Sequence, residues 1–393
     1  MENPSLLLTQ KIIDTILASP QQKITFSDYM NLCLYSYPYG YYNWEKTSIG
    51  FEGDFFTSST LSEDFGELLA KQLVQFWEIL DKPSPFHLVE IGAGEGNLSL
   101  TILRCLQQNY HEIYSNLQYI IIENSTTFRR KQADLLKRNI PGIAVVKWCS
   151  LEEIEDNSIQ GVFFSNELFD AFPVNIVEKK NNKLKEVYVA YNPQRGFVEV
   201  VDELSTEKIL EYLAALNVDL TGEEYPENYR TEVNLRAVDW LEKISRKIKQ
   251  GYLLTIDYGY TAEKYYHPQR FKGTLKCYYR HRHHDNPYVN IGCQDITSHV
   301  NFSAIQTYGE KWGLQTLAYT SQALFLMDLG LGERLAKLSE GNMGMRELIR
   351  RRYQLHQLVN PEGLGGFKVL LQAKNLTSFQ KSQTLTGFQH LHP

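Results

Sequence analysis

Between residues 92 and 96 the chain reads Gly-Ala-Gly-Glu-Gly. Three glycines at alternate positions suit a chain that must bend sharply and bring backbone N–H groups close to a ligand. The turn follows the apolar run His87 to Ile91 and opens onto Leu98, Leu100, Ile102, Leu103 and Leu106, which predicts strand, turn and helix in succession. A dinucleotide fingerprint would want its third glycine one place later, where the chain has Asn97. Gly92, Gly94 and Gly96, with Glu90 just ahead, instead suit a turn that faces the amino-acid end of S-adenosyl-L-methionine. A nucleoside also needs a carboxylate to accept its two ribose hydroxyls. Glu123 closes the run Tyr119 to Ile122, one helix and one strand beyond Gly96. A glycine turn alone can be a packing device, so it is the conjunction with Glu123 that points to a cofactor.

A second set of polar residues follows another apolar strand. Ser165 to Pro173 reads SNELFDAFP, and doubly wound sheets bind ligands at the carboxyl ends of their strands. Asn166, Glu167 and Asp170 are therefore expected beside the reaction centre. Methyl transfer is an in-line displacement on a sulfonium carbon, so the protein must position the nucleophile and localise its proton. A guanidinium, with a pKa above about 12, needs carboxylates to orient and polarise it. The competing reading makes Asp170 a helix cap and Glu167 a solvated side chain. Asp257 ends a further strand and is a third candidate, against the alternative of a turn aspartate bonded to its own backbone.

His281, His283 and His284 crowd the run CYYRHRHHDNPY, but adjacent histidines rarely converge on one ion, and no thiol or carboxylate stands at zinc-finger spacing. No metal is expected, and the run reads as a basic loop that contacts substrate or solvent. Arg346, Arg350, Arg351 and Arg352 read as one exposed helix face. Gly53 to Ser59, with Asp54, Thr57 and Ser58, is an aromatic, turn-rich stretch of the kind that lids a site.

Elements of defined kinds must carry these groups. Buried apolar runs at 86–91, 118–122, 144–148, 161–165, 251–257 and 367–373 alternate with helical patterns, which predicts an α/β, doubly wound, Rossmann-like sheet. A helical preface over 1–82 precedes it, with Ser62 as N-cap of its second helix. The core is expected over 83–173 and 251–375, carrying a long polar loop at 258–300, with a hairpin and helical insertion over 174–250. Helices are expected near 303–312 and 322–356, and a frayed tail after Asn375. A net charge of -6 over 393 residues gives no overall pull toward nucleic acid or an anionic membrane. No apolar run reaches the roughly 20 residues of a bilayer span. Five cysteines without CxxC spacing, and a first segment unlike a signal or transit peptide, point to a reducing cytoplasmic compartment.

Taken in order, GDFFTSSTLSEDFGELLA, LVEIGAGEGNLS, SNELFDAFPV, LLTIDYG, TLKCYYRHRHHDNP and DITSHVNF resemble the MidA family, from about Tyr37 to Gly330. That family includes the mitochondrial complex I assembly methyltransferase. The resemblance implies a class I methyltransferase core with substrate-covering insertions, S-adenosyl-L-methionine as cofactor, and the arginine of a protein as acceptor, with a homodimer open. It assigns Gly92, Gly94 and Gly96 to the cofactor loop, Glu123 to the ribose, and Asp54, Thr57 and Ser58 to an N-terminal lid that completes the cofactor site. Asn166, Glu167, Asp170 and Ala171 match a motif beside the reaction centre, and Asp295 and His299 match a downstream motif, with His299 counted among the catalytic residues. Ala93, Glu95, Leu168 and Asn301 depart from the family pattern. Glu95 places a negative charge near the cofactor carboxylate, and Asn301 bears on substrate identity. Small-molecule methylation, or cofactor binding by a non-catalytic assembly factor, are the alternatives.

Overall fold

The computed structural model describes residues 4–44, 58–140, 145–338 and 344–391. The chain divides into two compact units, one comprising Met1–Thr47, Phe169–Leu241 and Gly259–Tyr308, the other Ser48–Leu168, Glu242–Tyr258 and Gly309–Pro393.

The second unit holds a seven-stranded sheet. Its strands are β1 (Phe86–Ile91), β2 (Leu117–Ile122), β3 (Val146–Cys149), β4 (Ile159–Asn166), β5 (Ile248–Asp257), β6 (Gln315–Ser321) and β7 (Lys368–Lys374). They lie in the order β3-β2-β1-β4-β5-β7-β6. The first five are mutually parallel, while β7 runs antiparallel to both β5 and β6. The chain moves outward from β1 to β3 and then returns to lay β4 on the other side of β1, so the connection order reverses between β1 and β4. Such a switch point opens a crevice at the strands' carboxyl ends. Helix α1 (Glu63–Ile79) is capped by Ser62, whose hydroxyl accepts the Asp64 N–H as the sequence predicts. Helix α2 (Asn97–Asn109) follows β1, and helix α3 (Thr126–Asn139) follows β2. Phe65, Leu69, Phe76, Leu103 and Leu106 of the helices share a core with Leu88, Tyr119, Phe164 and Leu254 of the sheet.

Three expectations for this unit need correction. The strand β6 is absent from the sequence reading because only Ala318 and Thr320 of its seven residues are buried, as suits an edge strand. The helical stretch expected over 322–356 resolves into three helices, Gln322–Asp328, Leu331–Lys337 and Met345–Val359. Gly330, at φ 103°, breaks the first from the second. The tail is packed rather than frayed: Leu376, Leu385 and Phe388 are buried, and the Gly387 N–H donates to Gln72 Oε1 at 2.8 Å.

The first unit carries an antiparallel sheet whose central strand, Lys183–Asn192, pairs with Lys23–Thr25, Asn175–Lys180 and Gly196–Asp202, while Arg230–Val233 extends it beside 175–180. Its core joins Leu8, Ile12, Ile16, Phe26 and Met30 to Val174, Ile176, Val187, Val189 and Ile296. The preface expected over 1–82 is therefore split: its first helices belong with the insertion, and α1 belongs with the large sheet. The polar loop expected over 258–300 contains a three-stranded sheet, with Lys276–Tyr279 between Arg282–His284 and Asp295–Thr297. Its hairpin turns at Arg280 and His281, both left-handed at φ 49° and 60°. That conformation matches the twist of flanking strands.

Candidate functional site

Strand register gathers the predicted residues of the sheet unit. Ile91 lies opposite Ile122 and Ser165, and Asn166 lies opposite Ile256. Gly92, Glu123 and Glu167 therefore each follow the last paired residue of three neighbouring strands, and Asp257, the last residue of the fourth, is paired with Lys368 on its far side. With neighbours about 4.8 Å apart, the four positions span roughly 14 Å along one sheet edge.

Gly92, Gly94 and Gly96 all have positive φ, at 66°, 53° and 91°. Gly92 is exposed, and a Cβ on it would fall 2.7 Å from Leu168 Cδ1. Gly96 is the N-cap of α2, and a Cβ there would fall 3.3 Å from Gln132 Cγ. Glycine at 92 and 96 thus lets Leu168 and Gln132 pack against the turn, and positive φ at all three positions gives the sharp bend a cofactor cradle uses. The Glu95 charge is matched by Lys131 Nζ at 3.0 Å, which offsets the repulsion expected toward a cofactor carboxylate.

Glu123 is held at both oxygens: Oε1 accepts the Ser125 N–H at 2.9 Å and Oε2 accepts Gln132 Nε2 at 3.2 Å. Each carboxylate oxygen has two lone pairs, so acceptor capacity remains for ribose hydroxyls. Burial raises the Glu123 pKa, and the hydrogen bonds from Ser125 and Gln132 oppose that rise. Gln132 is a site residue that the sequence reading missed. A glutamine on an amphipathic helix carries no signal until the fold sets it under the glycine turn.

Glu90 occupies a different place from the expected one. It is only 3% exposed, and its Oε2 accepts the hydroxyls of Tyr119, at 2.5 Å, and of Ser99. Strand alternation turns its side chain into the layer below the turn, where it braces β1, β2 and α2 rather than facing a cofactor. Burial pushes its pKa up to about 7 against the lowering effect of Ser99 and Tyr119.

At the end of β4, Glu167 adopts left-handed backbone at φ 54°, and its N–H donates to the Ile256 carbonyl at 2.9 Å. Its Oε1 accepts Asn166 Nδ2 at 2.9 Å and the Ser58 N–H at 3.2 Å. Ser58 itself is buried, with its hydroxyl on Gln322 Oε1, so it braces Glu167 and does not present its hydroxyl to a cofactor. Asp54 and Thr57 lie outside the described residues. Asp257 is fully buried and accepts the N–H groups of Leu168 at 3.1 Å and Tyr258 at 2.8 Å. It fixes the segment after β4 in the manner of a turn aspartate, which corrects the catalytic expectation.

Asp170, Asp295 and His299 belong to the other unit. Asp170 lies in a turn of 3-10 helix, Phe169–Ala171, and its carbonyl accepts the Ser298 N–H at 2.9 Å. Asp295 Oδ1 accepts the Tyr42 hydroxyl at 2.9 Å. Burial raises the Tyr42 pKa, and Asp295, Tyr35 and Asp170 add to it, so both carboxylates act on one phenol. His299 stacks on Tyr260 at 5.0 Å with the rings 4° apart. Burial, then the charge of Arg270, lower its pKa to about 4. The ring is therefore neutral at physiological pH, able to accept a proton or a hydrogen bond but not to act as a cationic acid. His281, His283 and His284 lie on or beside the hairpin, and no metal-holding group of His, Cys, Asp and Glu occurs among the described residues.

The strand order, the open glycine turn and a carboxylate after β2 together define the class I, Rossmann-like methyltransferase architecture. Residues 68–320 match the model of a family described as "Putative S-adenosyl-L-methionine-dependent methyltransferase", and the chain belongs to that family. It is similar to a COG1565 superfamily member from Burkholderia thailandensis solved with S-adenosyl-homocysteine, at a TM-score of 0.84 and 30% identity over 98% of this chain and 95% of that one. It is also 27% identical to "Protein arginine methyltransferase NDUFAF7, mitochondrial" of Rattus norvegicus, over 87% of this chain and 79% of the relative. The Homo sapiens protein of that name is 26% identical over 87% and 78%. The protein is a methyltransferase that uses S-adenosyl-L-methionine. Gly92, Gly94, Gly96 and Glu123 are the residues whose geometry fits that cofactor.

Proposed function

We propose that the acceptor is the arginine side chain of a protein and that Glu167 receives or localises the proton its guanidinium must lose. The observation that carries this reading is the left-handed backbone of Glu167 at the carboxyl end of β4. Such strain in a non-glycine residue costs about 1–3 kcal/mol and persists where surrounding structure imposes it. Here Ile256, Asn166 and Ser58 hold it. When bound, S-adenosyl-L-methionine supplies an electrophilic methyl carbon on a sulfonium sulfur. Transfer forms a nitrogen–carbon bond as the carbon–sulfur bond breaks, and one guanidinium proton must leave. A carboxylate fixed by two donors is suited to orient the guanidinium and take that proton. The names of the NDUFAF7 relatives support the same acceptor class. Asp170 and Asp295, which act together on Tyr42, are a carboxylate pair with chemistry suited to a cation.

Labelled cofactor incubated with the protein and an extract of its own cells tests the reading. Label in protein arginine is expected. Label confined to small molecules would overturn the acceptor. Glu167→Gln should bind S-adenosyl-homocysteine within about threefold of wild type while losing at least about 100-fold in transfer. We also place the protein in the cytoplasm, a reading supported by five cysteines that are all free thiols. Fractionation of cells that express it tests the location, and recovery in an oxidising compartment would count against it.

A further inference from the structure

We propose that Gln132 is a positioning residue for the cofactor, one that locks the glycine turn and the ribose carboxylate into a single rigid receptor. It is fully buried on α3, and its amide makes three hydrogen bonds. Nε2 donates to the Gly94 carbonyl at 2.8 Å and to Glu123 Oε2 at 3.2 Å, while Oε1 accepts the Trp148 indole N–H at 2.9 Å. The partners settle which way the amide faces. An indole nitrogen can only donate, whereas a carbonyl and a carboxylate can only accept. Both amide hydrogens are therefore committed, one to each half of the cofactor site.

Two consequences follow from this geometry. In a planar trans peptide the carbonyl and the following N–H point in opposite directions. Holding the Gly94 carbonyl on Gln132 thus turns the Glu95 N–H away from it, as a donor-presenting turn requires. On the other side, the bond to Oε2 fixes the Glu123 carboxylate in rotation, while the Ser125 N–H fixes Oε1. Gln132 also packs 3.3 Å from where a Gly96 Cβ would stand, so its side chain forms the floor of the turn. Preorganisation of this kind raises affinity by removing the cost of ordering groups on binding. The charged groups nearby are already engaged, since Arg129 Nε donates to the Glu123 carbonyl and Lys131 pairs with Glu95.

The experiment measures S-adenosyl-homocysteine binding by calorimetry on the full chain, with melting of the unliganded protein recorded alongside. Gln132→Leu should weaken binding by about 10- to 100-fold. In a Glu123→Gln background the same change should cost several-fold less than in wild type, because the part of its effect that runs through that carboxylate is already lost while the Gly94 contact remains. Gln132→Glu places two carboxylates in contact, so its affinity should be poor near pH 8 and recover by at least about tenfold near pH 5.5, where the pair can share a proton. Wild type should show no such recovery. Trp148→Phe, which removes the donor that orients the amide, should reproduce part of the loss and serves if Gln132→Leu does not fold. Binding by folded Gln132→Leu within threefold of wild type, additive losses in the double mutant, or no recovery of Gln132→Glu at low pH would each overturn the proposal.

Discussion

At the scale of residues, the site works by restricting what its neighbours can be. Gly92 is exposed yet disfavours a side chain, because at φ 66° a Cβ is strained and would displace the end of Leu168. Gly92→Ala should destabilise the unliganded protein by about 1–2 kcal/mol, mainly from left-handed strain, with Leu168 shifting its flexible end at little cost. Chemical denaturation measures that loss, and calorimetry should show S-adenosyl-homocysteine binding reduced with it. Glu90 makes a prediction about pH. Burial raises its pKa to about 7 in the folded protein, so between the ordinary carboxylate range and about pH 7 the folded state holds a proton that the unfolded chain has released. Its contribution to stability is therefore present at low pH and is lost as pH rises through that window. Relative to Glu90→Gln, the wild type should lose on the order of 2 kcal/mol between about pH 5 and about pH 8. Parallel urea denaturation of the two proteins at both pH values measures the difference, and equal slopes would show that Glu90 is not the titrating group.

At the scale of elements, register does the work that spacing cannot. Residues 92, 123, 167 and 257 are far apart in sequence, and become neighbours only because parallel strands of similar length end at one level. The C-terminal segment shows the converse. It has little regular structure, yet Leu376, Leu385 and Phe388 are buried, and Phe388 packs against Phe325 at 5.1 Å. Burial of three such side chains is worth roughly 4–8 kcal/mol, offset in part by the cost of ordering the chain. Removing residues after Asn375 should therefore lower stability by at least about 3 kcal/mol net. Urea midpoints report the loss, and an unchanged midpoint would show that the tail only rests on the surface.

At the scale of the whole molecule, one unit carries the glycine turn and Glu123, the candidate cofactor residues, and the other carries the Asp170, Asp295 and His299 set. Ligand linkage should separate them. S-adenosyl-homocysteine at about 100 times its dissociation constant should stabilise the native protein by roughly 2.7 kcal/mol. Hydrogen exchange should place the new protection at residues 92–97, 123–132 and 166–168. Protection confined to the other unit would contradict the assignment of the glycine turn. Among the described residues no helix is long and apolar enough to cross a membrane.

The strands β1 to β5 and β7, the glycine turn and Glu123 were all legible in the sequence, because buried parallel strands write continuous apolar runs and a sharp turn demands glycine locally. What the local pattern could not decide was everything set by contacts between distant segments. Gln132 looks like any polar residue on α3 until β3 brings Trp148 to its oxygen. Glu90 reads as a ligand residue until strand alternation turns it inward. The edge strand β6, the packed tail and the pairing of Lys23–Thr25 with the inserted sheet carry only weak periodicity of their own. Their placement is determined by the surface that other parts of the chain present to them, and that surface exists only in the folded state.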